Sequence, residues 1–189
     1  PKDELVFYAR FKQADLLRKL NQFGPAVQIY EQLTNTYPQH PDVLAAELAK
    51  ADCYAAQAAA DVSQLESALS IYERLFVVPS APRPLRIEAG FKRGQALQRR
   101  GSVERAQSAW WEVVNTFLLE REPRSTLDAK ARFWLARSLF ELARSFEGAA
   151  RLNEARNAYE LIVQQDLLGA QAARAALARL GIVTPEGGR

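Results

Sequence analysis

Side chains able to do nucleophilic, redox or metal chemistry are sparse in this sequence. Cys53 is its only cysteine and His40 its only histidine. A single thiol closes no intramolecular disulfide, and a zinc site needs a set of such ligands, so neither is expected. Cys53, beside Tyr54, reads as a buried structural thiol, and His40, in the Gln39-His40-Pro41 turn, as a solvated turn residue. No phosphate-binding glycine loop, dinucleotide fingerprint or nucleophile elbow occurs. Carboxylates are plentiful, but they fall at helix-surface spacings with no site to hold a pair. The chemistry left to the chain is non-covalent, with no catalytic residue, cofactor or metal expected: charged and apolar surfaces that hold a partner.

Helices must position those surfaces. One phrase recurs along the chain as Ala26-Tyr30-Leu33, Ala68-Tyr72-Leu75, Ala106-Trp110-Val113 and Ala155-Tyr159-Ile162. The i, i+4, i+7 spacing puts each set on one face of a helix. A further apolar residue three positions earlier, Phe23, Leu65, Val103 or Leu152, extends each stripe. Before each phrase comes a small residue followed by a larger one, in Ala14-Leu17, Ala51-Tyr54, Gly94-Leu97 and Ala136-Leu139. A small residue lets a neighbouring backbone approach closely, so each unit reads as two antiparallel helices packed at one crossing point.

These paired phrases resemble the tetratricopeptide repeat, whose pattern is W-x2-L-G-x2-Y, then A-x3-F, then P. The likeness spans nearly the whole chain. Leu17 precedes Ala26 by nine residues and Leu97 precedes Ala106 by nine, in the family's register, whereas the gaps from Tyr54 to Ala68 and from Leu139 to Ala155 are fourteen and sixteen. Longer helices or an extended turn are expected in those two units. Ser63 with Glu66 reads as a capping box, Gly101-Ser102 as a turn and N-cap, and Pro25 as a first-turn proline. Pro38 and Pro41, then Pro79, Pro82 and Pro84, then Pro123 fall between units.

The expected fold is all-α: a right-handed α-solenoid of about four antiparallel helix pairs and a C-terminal capping helix. A single domain over 1–181 would hold units at about 5–38, 42–79, 85–118 and 127–167, with the cap at 170–180 and a tail at 182–189. A composition of 48% hydrophobic and 25% charged residues supplies the core such a solenoid needs. No stretch is apolar enough to span a bilayer.

Repeats of this family line a concave groove with their first helices, and the resemblance implies ligand contacts beside the small packing residues. Counting three positions before each gives Phe11, Leu48, Phe91 and Phe133, and one position after gives Asp15, Asp52, Gln95 and Arg137. An apolar ladder would thus run beside a polar one that changes from acidic to basic. Such a groove suits an extended segment or a helix of a partner protein with apolar anchors, and an exposed apolar ladder would also support self-association. Phenylalanine, leucine, aspartate and glutamine stand where some relatives place lysine and asparagine to grip a C-terminal carboxylate, which disfavours that kind of clamp.

Charge offers a second surface. Residues 1–80 carry a net negative charge and residues 81–189 a net positive one. The excess gathers around residues 83–105, in Arg86, Lys92, Arg93, Arg99 and Arg100 among others, and a basic face there would attract nucleic acid or another anionic surface. It lacks the interleaved aromatics of a single-strand binder. The Thr36-Tyr37-Pro38-Gln39-His40-Pro41 junction and the long spacings resemble bacterial cell-envelope members of the family, which implies a periplasmic setting, with cytoplasmic scaffolding fitting the residues almost equally. The chain opens at Pro1 without methionine, so a mature form or an excised piece is expected.

Overall fold

The computed structural model describes residues 2–59, 61–120 and 126–182. Among them the secondary structure is helical throughout: α1 Lys2–Lys19, α2 Phe23–Thr36, α3 Val43–Gln57, α4 Ser63–Val77, α5 Arg83–Arg99, α6 Val103–Val114, α7 Ala129–Gly148, α8 Leu152–Gln164 and α9 Ala170–Ile182. A π-helical segment, Asn115–Leu119, prolongs α6. Pro123 and the tail beyond Ile182 lie outside the described residues.

Each helix packs on the next without a break from α1 to α9, and the first helices also touch one another, α1 on α3, α3 on α5 and α5 on α7. Comparable packing does not join the second helices α2, α4, α6 and α8. The layer of first helices is the tighter one. The first helices thus share one face of the solenoid, referred to below as the inner face. The architecture is the expected right-handed α-solenoid.

The fourfold phrase is the core of every unit: all twelve of its residues are buried, Ala26, Ala68, Ala106 and Ala155 completely. Burying a ring of this size removes about 150–250 Å² from water, which is why one aromatic per unit suffices to anchor the pair. In unit three a glycine sits opposite the aromatic. A Cβ added at Gly94 would fall well inside contact distance of the Trp110 indole, and one at Gly90 would strike Val113 and Phe76. The fourth residue of the stripe is less regular, since only Leu65 is buried, Phe23 is half-buried, and Val103 and Leu152 are exposed at their helix starts.

The turns repeat too. Asn21, Gly101 and Ala150, each with positive φ, sit between the helices of units one, three and four. The next amide donates back across the turn, Gln22 to the Leu17 carbonyl, Ser102 to Leu97 and Arg151 to Phe146, at 2.8, 3.0 and 2.9 Å. This is the Schellman geometry that satisfies the last carbonyls of a helix. Ala150 takes the left-handed conformation despite its Cβ.

The two irregular spacings are absorbed differently. In unit two the surplus falls between the end of α3 at Gln57 and the start of α4 at Ser63. The Ser63–Glu66 capping box does not form there; Asp61 accepts from the Ser63 amide at 3.0 Å and the Ser63 hydroxyl at 2.7 Å, while Glu66 pairs with Arg100 at 2.6 Å. In unit four α7 has 20 residues against 17 in α5, so the surplus lies in which residue of α7 takes the packing position more than in the helix's length. A shift of seven residues keeps the helical face, so Ala143 and Phe146, not Ala136 and Leu139, hold the places of Gly94-Leu97, each small residue five positions before its helix end. Ala143 is fully buried, and the Phe146 carbonyl closes the turn.

Candidate partner-binding surface

The inner face is built from tyrosines of the second helices reaching carboxylates on the first. Tyr30 donates to Asp15 Oδ1 at 2.9 Å, Tyr72 to Asp52 Oδ1 at 2.8 Å and Tyr159 to Glu147 Oε1 at 2.6 Å. In unit three Trp110 Nε1 donates instead to the Phe91 carbonyl at 3.1 Å. Burial and the adjacent carboxylates push the Tyr30 and Tyr72 phenols far above their usual value, and the same causes raise Tyr159 to about 12. These phenols stay neutral donors.

Cations close the ring around those carboxylates. Lys92 Nζ lies 2.7 Å from Asp52 Oδ2 and 2.7 Å from Glu88 Oε1, Lys130 reaches Glu88 at 2.8 Å, and Arg179 reaches Glu147 at 2.6 Å. Burial alone would raise the Glu88 carboxyl, but Lys92 and Lys130 hold it below the usual range. Two hollows open on this face. One, of about 470 Å³, lies between α3 and α5 and is lined by Arg18, Asp52, Tyr72, Lys92, Gln95 and Arg99. The other, of about 660 Å³, lies between α7 and α9 and is lined by Phe140, Arg144, Glu147, Tyr159 and Arg179.

The expected ladders are met in part. Asp15, Asp52 and Gln95 are half-buried on the first helices, the two aspartates committed to Tyr30 and Tyr72. Leu48 and Phe91, expected to face a partner, are buried at 6% and 1% exposure. Phe91 is roofed by Trp134 at 5.0 Å and by the Arg137 guanidinium at 4.8 Å, so it belongs to the core. Phe11 is half-buried against Phe7 and Tyr30. Phe133 and Arg137 are exposed, the guanidinium 5.8 Å from the Phe133 ring. With Ala143 as the packing residue of α7, Phe140 and Arg144 occupy in unit four the positions that Phe91 and Gln95 hold in unit three. The signal was present in the sequence: Phe146 precedes Ala155 by the same nine residues that separate Leu97 from Ala106.

The expected basic face is largely consumed within the protein. Arg93, only 5% exposed, donates to Glu73 at 2.9 and 3.0 Å, pairs with Glu112, and lies over the Phe76 ring. Arg86 donates to the Phe76 carbonyl at 2.9 Å, Lys92 is held by Asp52 and Glu88, and Arg100 by Glu66. Arg99 donates to the Ala55 carbonyl at 2.7 Å and has no carboxylate partner among the described residues. Arg137 and Arg144 likewise have none.

Cys53 is fully buried, and burial pushes its thiol up to about 12. His40 stacks on Phe7 at 3.6 Å and accepts from the Asp42 amide through Nδ1. It is a packed residue of the junction, not the solvated one expected. Among the described residues no three His, Cys, Asp or Glu side chains converge, and no helix is long and apolar enough to cross a membrane.

Residues 8–40, which comprise most of α1, all of α2 and the Pro38 junction, match the family model for the tetratricopeptide repeat. Unit one is thus similar to a tetratricopeptide repeat in sequence as well as in fold. The TPR-like fold extends over the remaining units. The structure of a Podosopora anserina protein named for kinesin light chain and built of nearly identical TPR-like repeats superposes with a TM-score of 0.62 and 20% identity, covering 93% of this chain and 85% of that one. A substituted form of the same Podosopora anserina protein gives a TM-score of 0.62 and 19% identity, covering 93% and 84%. No curated protein matches the chain significantly. At such identities the likeness is one of fold.

Proposed function

We propose that this TPR solenoid is a non-catalytic protein-interaction module whose inner face holds an extended segment or helix of a partner protein. TPR repeats generally serve as such modules, and the unbroken packing from α1 to α9 supports one continuous working unit over residues 1–181. The observation that carries the reading is a row of arginines on the first helices, Arg99, Arg137 and Arg144, with no carboxylate partner among the described residues. Arg99 lines one open hollow, Arg144 lines the other with Phe140, and Arg137 lies beside Phe133. Guanidiniums that no carboxylate neutralises, beside aromatic rings, favour a segment with acidic and apolar side chains. Asp15, Asp52, Gln95, Phe11 and Phe133 would shape the rest of the contact, while Leu48 and Phe91 support it from the core. The other reading, nucleic acid or an anionic surface at residues 83–105, has less support because Lys92, Arg93 and Arg100 are already paired.

Selection from a random-peptide library on the immobilised chain tests this. Enriched peptides should be acidic and apolar, and Arg137→Glu with Arg144→Glu should weaken them at least about tenfold without changing helicity. Peptides that bind the double variant as tightly as the parent would sink the proposal. Salt-sensitive retention on nucleic acid, lost on reversing Arg99 and Arg100, would favour the other reading.

A further inference from the structure

The outer face carries one break in the repeat that the inner groove does not use. The residue after the buried aromatic is Glu31 in unit one, Glu73 in unit two and Glu160 in unit four; in unit three it is Trp111. The first two glutamates close the seam to the following unit. Glu31 accepts from the Tyr54 hydroxyl of α3 at 2.9 Å, and Glu73 accepts from Arg93 of α5. Trp111 makes no such bond and stands 45% exposed, beside Leu119 at 42% on the π-helical segment.

Between α6 and α8 the seam is therefore open. A cleft of about 530 Å³ runs there, walled by Trp111, Leu119, Phe146 and Leu161. Among the described residues the charged side chains lining it are Glu154 and Glu160. Glu154 is engaged by Arg151 at 3.0 Å, whereas Glu160 has no partner among the described residues. An exposed indole in place of a recurrent carboxylate costs solubility and gives the fold no seam bond in return. Apolar patches of this kind, rimmed by charge, mark interaction sites.

We propose that this outer cleft is a docking site, separate from the inner face, for a segment of another protein that carries a bulky apolar side chain with lysine or arginine beside it. The apolar side chain enters between Trp111, Leu119, Phe146 and Leu161, and the cation pairs with Glu160. Glu160, without a partner among the described residues, selects against an acidic segment, the opposite preference from that of the inner face. A π-helical turn at the end of α6 moves Leu119 out to the cleft while Phe117 and Leu118 remain buried.

The probes are two helical peptides of one length, with leucine at i, i+3 and i+7 and either lysine or glutamate elsewhere. Binding is read by titration and by the indole N–H resonance of Trp111. The lysine peptide should bind about tenfold tighter than the glutamate peptide and shift that resonance. Trp111→Glu, which restores the residue of the other units, should weaken it about tenfold or more, and Glu160→Lys should reverse the preference. Both variants should keep the parent's thermal midpoint; if Trp111→Glu does not fold, Glu160→Lys decides. Equal affinity for both peptides, an unmoved Trp111 resonance, or unchanged binding by the folded variants would overturn the proposal. A dimer of the parent that Trp111→Glu converts to monomer would overturn it in favour of a second copy of the chain.

Discussion

The Tyr72 hydroxyl donates to Asp52 Oδ1, and the other oxygen of that carboxylate receives Lys92 from the following unit. One side chain of α3 thus ties α4 and α5 together. Tyr30–Asp15 repeats the first half of this arrangement and Tyr159–Glu147–Arg179 repeats the whole.

Asp52→Ala should destabilise the protein by about 2–3 kcal/mol, because a largely buried phenol and an ammonium each lose a partner. Asp52→Asn, which keeps an acceptor for Tyr72, should cost less. Urea unfolding of both variants checks this, and equal losses would show that the hydroxyl bond contributes little.

Two backbone positions should respond with opposite signs. Gly94→Ala places a methyl group inside the Trp110 indole, which is fully buried and tethered to the Phe91 carbonyl; the loss should be about 3 kcal/mol. Ala150→Gly relieves a left-handed alanine at φ 57° and should stabilise by about 0.5–1 kcal/mol. Thermal midpoints of the two variants would show it, and a destabilised Ala150→Gly chain would contradict the strain.

Acid should loosen the joint between units two to four. Glu88 titrates below its ordinary 4.5 in the folded chain because Lys92 and Lys130 flank it. A depressed carboxyl contributes stability that is present above the unfolded value and lost as pH falls through the folded one. Unfolding free energy should therefore drop below about pH 4.5, and the drop should be shallower in Glu88→Gln. Parallel curves for the two proteins would assign the acid sensitivity elsewhere.

Much of the scaffold was legible because its determinants are local. An aromatic four residues beyond an alanine shares its face wherever the helix goes, and the structure buries all twelve phrase residues. The candidate surface was less legible. Phe91 and Phe133 look equivalent by spacing, yet Trp134 and Arg137 cover one, and the other is exposed at 37%. The arginine cluster around 83–105 looked free in one dimension, but Glu66, Glu73 and Glu112, from α4 and α6, come to meet it.

The sequence by itself determined the helices, their pairing and the buried seam, since these follow from periodicity and from small residues opposite large ones within about 40 positions. Only the tertiary structure decided which charges remain free, how α7 shifts the register of unit four by two turns, and that Trp111 opens the outer face. Those outcomes depend on side chains from neighbouring units meeting in space. Burial and ion pairing are properties of that meeting, and no single helix encodes them.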